Sequence, residues 1–476
     1  MPFFQAVRAG HETTDEQGHA APTRHGSGGG AEPLQPLRRC VVNLSRRGFL
    51  TTAASGIAVA AVRDQNSSAA SEGLQSPLEI RALRLQEIVE TRTVQSEGML
   101  PMLVRAHDYQ LPSAEDYRGA YRHRHLLGKT EAEIGIAPMH VWRAWENTAA
   151  DTAFYLGACA YQYRCTSDPS VRAICSRTLR ALYYIFQLAV AKGERGFLCK
   201  PYGGQYSNQT SGDQVQCVVT GLAAWRPLAS PDERALIDEM TVAFADHQIE
   251  VDFDALHGYF AHPRGKWGWE YKDWTDAMIY VPLLHLAWNT TGDEKYLAAI
   301  RRWYDHCGLE KRAAVTAETF RGSPACRMLY LPSLMMEFDP QNHELWRSHM
   351  RAVFTTCRTG ILPDGTSWYS WEYDQRSGRL TPRDAGWGGG PTRTGRSAIF
   401  AMACVTAQRW LPEADMQGVA RGILENLDEP RLRFVLPASD DTQLSPEWQV
   451  EGRLLDHDSL TGWLWAYWEG RWRGYW

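Results

Sequence analysis

From Asn147 onward the chain alternates between two kinds of helical pattern. In one kind apolar and small residues fill nearly every position: Thr148–Arg164, Asp213–Arg226, Trp274–Asn289, Pro324–Phe338, Gly395–Trp410 and Asp458–Glu469. In the other, charged positions recur on one face: Pro169–Lys192, Pro231–Glu250, Glu294–Cys307, Pro340–Arg358 and Glu413–Leu427, with Pro77–Thr93 ahead of them all. A helix apolar on all sides must be surrounded by protein, whereas a polar stripe can face water. Repetition of the pair settles a fold better than local propensity does. The pattern predicts an all-α, (α/α)6 toroid of six inner and six outer helices, with Pro77–Thr93 closing the outer ring against the last inner helix.

The turns repeat the same chemistry. Asp168-Pro169, Ser230-Pro231 and Asp339-Pro340 each set a capping side chain before a proline at the first helical position, and Gly292-Asp293 gives a helix stop followed by a cap. The long connections, 193–212, 251–273, 308–323, 359–394 and 428–457, all run from the end of an outer helix to the start of the next inner one. Connections of that length in a compact domain carry function. A site is therefore expected where the inner helices begin. Strand is expected only as loop hairpins near Lys266–Trp269 and Ser367–Tyr373.

Residues 1–44 are polar and Gly-rich with no apolar period, and read as disordered or as an over-extended gene start. Ser45-Arg46-Arg47-Gly48-Phe49-Leu50 then leads into a weakly apolar run to Val62, too short to remain as an anchor. The segment 45–70 reads as a twin-arginine signal, with Ala58-Val59-Ala60 or Ala69-Ala70 as the cleavage region. The expectation is one domain over 71–476, carried by the twin-arginine translocase to the periplasm or beyond, with no stable membrane anchor. Of 50 Lys and Arg and 55 Asp and Glu, 7 and 5 lie in the first 70 residues, so the rest carries a net charge of −7. That acidic balance argues against nucleic acid as a partner. Ten cysteines, none in a Cys-x-x-Cys pair, suggest buried thiols rather than a disulfide framework.

Asp213 opens the second inner helix and Asp276 the third, 63 residues apart. Adjacent inner helices would bring both carboxylates to one rim, as required when one group gives a proton to a leaving oxygen and another assists. Helix N-termini favour the charged form, so an acid here needs burial or a second carboxylate to keep its proton. Plain capping is the alternative role. There are 19 Trp and 20 Tyr. Trp142, Trp145, Trp267, Trp269, Trp368, Trp371 and Trp387 sit on or beside the long loops, where their rings would either stack on sugar faces or fill the toroid. Glu146, Asp151 and Asp456-His457-Asp458 would line the same mouth, mostly as caps.

Trp274-Thr275-Asp276-Ala277-Met278, followed by Val281-Pro282-Leu283-Leu284 and Thr291-Gly292-Asp293-Glu294-Lys295-Tyr296, resembles the unsaturated glucuronyl and rhamnogalacturonyl hydrolases of the six-hairpin glycosidases. The resemblance is strong over Trp274–Ile300 and architectural elsewhere. It implies Asp276 as proton donor, Asp213 as its partner, and an oligosaccharide with an unsaturated or saturated uronyl end as substrate, without metal or cofactor. The Arg-Gly-x-x-Trp segment of that family is replaced here by Gly386-Trp387-Gly388-Gly389-Gly390-Pro391-Thr392-Arg393-Thr394-Gly395-Arg396, where Arg393 or Arg396 is expected to hold the uronate. Trp387, Trp269, Trp274, Tyr259, His262 and Trp145 are the expected remaining substrate contacts. A polysaccharide lyase using Tyr259, His262, Tyr369 and Arg321, and a non-catalytic glycan-binding toroid, stay open as alternatives. His-Glu-x-x-His, Gly-x-Ser-x-Gly and phosphate-loop motifs are missing from the sequence.

Overall fold

The computed structural model describes residues 76–117, 137–254, 269, 274–308, 329–374, 376–383 and 390–476. Segments 1–44 and 45–70 lie outside the described residues. Ser76–Trp476 forms one compact unit.

In chain order the helices are α1 (Pro77–Ile88, continued by a π-helical turn Val89–Thr93), α2 (Met139–Trp145), α3 (Thr148–Thr166), α4 (Pro169–Val190), α5 (Gly212–Trp225), α6 (Pro231–Glu250) and α7 (Trp274–Thr291). They continue as α8 (Glu294–Cys307), α9 (Tyr330–Phe338), α10 (His343–Cys357), α11 (Ser397–Gln408), α12 (Met416–Asn426), α13 (Pro446–Gln449) and α14 (His457–Arg473). The strands are β1 (Leu103–Arg105), β2 (Ser367–Trp368), β3 (Trp371–Asp374), β4 (Arg379–Pro382), β5 (Arg393–Thr394) and β6 (Leu454–Asp456). They pair antiparallel as β1–β6, β2–β5 and β3–β4, two strands at a time.

The apolar helices α3, α5, α7, α9, α11 and α14 pack successively, and α14 packs back on α3. That contact closes a ring, and the fold is an (α/α)6 toroid. Outside it, α4, α6, α8, α10 and α12 each pack on the inner helix they follow, while α1 lies against α14. The inner helices come close because their residues are small. A β-carbon on Gly157 of α3 would fall 1.8 Å from the Trp465 ring of α14, and one on Gly221 of α5 would fall 2.3 Å from the Ala153 carbonyl of α3. In α14 all residues from His457 to Gly470 are buried.

Most outer helices begin as their sequence requires. Asp168 accepts from the Ser170 amide at 2.8 Å, Asp293 from Lys295 at 3.0 Å, and Ser230 and Glu233 form a reciprocal capping box. Asp339-Pro340 departs from expectation. Pro340–Asn342 is a 3-10 turn, α10 starts at His343, and Asp339 makes no capping bond. Its carboxylate instead accepts from the Tyr304 hydroxyl at 2.9 Å and the Trp346 indole at 3.2 Å, so tertiary partners took a side chain that local chemistry assigned to a cap. Likewise α12 starts not at Glu413 but at Met416, capped by Asp415. The hairpin expected at Ser367–Tyr373 is two strands that pair elsewhere, β2 with β5 and β3 with β4. Of the one expected at Lys266–Trp269, only Trp269 is described. Of the eight described cysteines, all but half-buried Cys165 are buried.

Candidate functional site

The first turns of α5 and α7 form one wall of the ring's mouth. Ser211 is extended (φ −157°, ψ 151°) and Gly212 begins α5. A β-carbon on Gly212 would lie 2.8 Å from Ile279 Cδ1 and 3.6 Å from the Tyr280 hydroxyl, so glycine lets the start of α5 press onto α7. Asp213, one residue on, is then carried to the same rim as Asp276, in the first turn of α7. Both carboxylates are half-buried. Tyr280 lies between the two helices, 3% exposed. Burial first, and then the charges of Asp276, Asp254 and Asp213, hold its phenol far above its ordinary range, so it remains protonated and able to donate. Three carboxylates, those of Asp276, Asp254 and Asp213, thus act on one buried phenol. The arrangement suits general-acid chemistry with a second carboxylate in support.

Beside this wall the starts of α3, α5 and α14, and the residue before α11, are joined by a buried polar network. The Arg396 guanidinium forks onto Asp456 at 2.9 and 3.1 Å and reaches Asp458 at 2.9 Å. Burial opposes its charge, but those two carboxylates raise its pKa and keep it protonated. Asn147 donates to Asp458 at 3.0 Å and accepts from Gln214 at 3.0 Å, and Gln214 accepts from the Ala150 amide at 3.2 Å. Asp151 is fully buried. Desolvation first, then the neighbouring Asp458 and Asp456, hold its carboxyl well above the usual range, which favours the neutral acid. Next to this network Arg143 pairs with Glu146 at 2.9 Å and Glu451 at 2.6 Å, and Lys200 lies 3.5 Å from Glu146. The Phe434 ring lies within 5.1 Å of the Arg143 guanidinium and 4.8 Å of that of Arg396.

These contacts correct several expectations. Arg396 is already committed to Asp456 and Asp458. Arg393 donates from Nε to the Pro437 carbonyl at 2.6 Å, from one terminal nitrogen to Asp364 and from the other to Asp440 at 2.8 Å. Neither guanidinium offers an unoccupied fork to a uronate, because each neutralises carboxylates brought to it by the loops after α10 and α12. Asp456 is the N-cap residue of α14, yet its side chain makes no capping bond, and neither carboxyl oxygen of Asp151 caps α3. Trp145 is 5% exposed, buried in α2. Trp269 faces the outer helix α8, with the Arg302 guanidinium 3.8 Å from its ring centre, Trp303 at 4.8 Å, and its indole N–H donating to Asp252 at 2.9 Å. Its ring is thus engaged away from the sugar-stacking role. Tyr369 packs on Phe434 and Trp448, and burial pushes its phenol up to about 12, which does not suit a general base. Trp274 opens α7, but its side chain is outside the described residues, as are Trp387, Tyr259, His262 and Arg321. Sequence reading missed Tyr280, Asn147 and Gln214. The helical spacing of Tyr280 from Asp276, four residues on the same face, was the available signal for the first; nothing local marks the other two.

Among the described residues no group of three or more His, Cys, Asp or Glu is placed to hold a metal ion, and no helix is long and apolar enough to cross a membrane. No family model matches the chain, and no curated protein matches it. Among solved structures it is similar to an unsaturated glucuronyl hydrolase specific for heparin, at 13% identity and a TM-score of 0.47, covering 83% of this chain and 96% of that one. It is also similar to the unsaturated glucuronyl hydrolase of Bacillus sp. GL1, at 13% identity and a TM-score of 0.45, covering 83% and 94%. A third is the glycosyl hydrolase family 88 protein of Bacteroides vulgatus, at 11% identity and a TM-score of 0.42, covering 68% and 91%.

Proposed function

We propose that the protein is a glycoside hydrolase acting on the uronyl end of an oligosaccharide, with Asp276 as general acid and Asp213 as the supporting carboxylate. The observation that carries this reading is that the two half-buried carboxylates open adjacent inner helices around one buried, protonated tyrosine. On an unsaturated uronyl end, Asp276 gives its proton to a carbon of the enol-ether double bond and water adds to the other carbon. The water's second proton goes to the Asp276 carboxylate, the resulting hemiketal opens the ring to a ketone, and the hemiacetal this leaves at the anomeric carbon breaks down to an aldehyde, releasing the neighbouring sugar as its alcohol. Asp213 holds negative charge close by, which keeps the Asp276 proton in place until the bond is ready to accept it. The uronate is held by groups other than Arg393 and Arg396. The Ser45-Arg46-Arg47-Gly48-Phe49-Leu50 segment, read as an export signal, supports a reaction outside the cytoplasmic membrane.

The test is ultraviolet absorbance of the conjugated double bond. Incubated with lyase-generated oligosaccharides, the protein is expected to lower it, and Asp276→Asn to reduce that rate by about 100-fold or more. A rising absorbance on intact polyuronates would instead make the protein a lyase. No change on either substrate would leave only glycan binding.

A further inference from the structure

The inner ring has a second opening, at the end where its helices finish. A cavity of about 290 Å³ lies there, walled by the last turns of the inner helices. That is close to the lower size of small-molecule sites. It belongs to the short-turn side: Ala223 and Arg226 line it, whereas Asp213 starts the same α5 helix, and Asn289 and Thr290 line it at the far end of α7 from Asp276. With 18 residues in α7, the two openings stand roughly 25 Å apart.

Four arginines line this cavity, Arg164, Arg226, Arg409 and Arg473. Their position at helix ends follows from the negative potential of the terminal carbonyls. Three are answered by carboxylates: Arg226 by Asp238 at 2.7 Å, Arg409 by Glu337, and Arg473 by Glu469 at 2.6 Å. Arg164 is not. Among the described residues nothing accepts a hydrogen bond from its guanidinium, and its Nε is buried without a partner. It lies instead near the rings of Trp472, at 5.0 Å, and Tyr161, at 5.9 Å. Glu469 and Glu337 act on this half-buried cation only from a distance, without a hydrogen bond, so the donors of its guanidinium are left open to a ligand. Trp465 and Phe338 complete an aromatic wall beside it.

We propose that this cavity binds a small organic monocarboxylate with a flat or apolar face, its carboxylate forked by Arg164 and its body laid against Trp472, Trp465 and Phe338. The planar guanidinium matches a carboxylate through two parallel hydrogen bonds. Glu337 and Glu469, close to the same space, select against a dianion such as phosphate. The site is separate from the proposed catalytic pair, so either can fail without the other.

Calorimetric titration of the full chain with sodium benzoate and with neutral benzamide tests this. Benzoate is expected to bind saturably and benzamide not. Arg164→Gln should weaken benzoate at least about tenfold, Arg164→Lys less, and Ala223→Leu, which narrows the cavity without touching charge, should weaken it as well. Asp276→Asn should leave it unchanged. Thermal melts identify any variant that fails to fold, and the Ala223→Leu and benzamide arms stand without Arg164→Gln. Equal binding of benzamide, benzoate binding that survives Arg164→Gln in a folded protein, or loss of binding in Asp276→Asn alone would overturn the proposal.

Discussion

Asp151 and Asp213 occupy first turns of neighbouring inner helices, yet their surroundings send them in opposite directions. Asp213 stays half-buried at the rim. Asp151 is sealed among Asp456, Asp458 and Arg396 and holds its proton, mainly because burial penalises its charge. Its folded-state pKa is raised above the unfolded value, so its contribution is fully present below about pH 3.9 and is lost as pH rises towards the folded pKa. Asp151→Asn keeps a donor towards Asp458 and has no proton to take up on folding. Urea unfolding at pH 7 should therefore find the variant at least as stable as the parent, with its advantage shrinking as the pH is lowered to about 4. A loss of several kcal/mol at pH 7, roughly what breaking a buried ion pair costs, would mean that Asp151 is ionised. The two aspartates look alike in sequence, because both are first-turn carboxylates and burial is what separates them.

At the scale of elements, the alternation of apolar and amphipathic helices was plain in the chain, since pattern period and proline-capped turns are local properties. Asp168, Ser230 and Asp293 cap as their neighbours dictate, and Asp339 does not, because a tyrosine and a tryptophan from α8 and α10 reached it. Glycines show the same divide. Gly221 of α5 faces the Ala153 carbonyl, whereas a β-carbon added to Gly422 of α12 would meet nothing within 4 Å. Alanine at 422 should raise stability by about 0.5–1 kcal/mol through helix propensity. Alanine at 221 should lower it by about 1–3 kcal/mol through overpacking. Urea midpoints of the two variants check this, and equal shifts of the same sign would sink the close-packing account of α3 and α5.

For the whole molecule, closure of the ring depends on α14 meeting α3, with α1 laid over the seam. Gln86 donates to Gln162 at 2.6 Å, and Glu90 receives both the Tyr155 hydroxyl and Arg177 at 2.6 Å. Arg471 pairs with Glu79. A chain beginning at residue 95 would strand these partners and expose the buried side of α1's contacts. It should lose cooperative thermal unfolding and bind a hydrophobic dye, whereas a chain beginning at residue 71 should melt in one transition. Equal melts would show that α1 is dispensable to the ring.

The sequence alone determined the helical periods, their caps and their inner or outer class, because each depends on residues within a few positions of one another. It also put Asp213 and Asp276 one repeat apart, which in a ring of alternating helices means one rim. Only the tertiary structure decided which charges were already answered. Arg393 and Arg396 lie near the mouth in the chain as in space, but Asp364, Asp440, Asp456 and Asp458 come to them from 29 to 62 residues away. Arg164 lacks such a partner for the same reason, since pairing across a fold is set by where distant helix ends meet, and no local pattern records it.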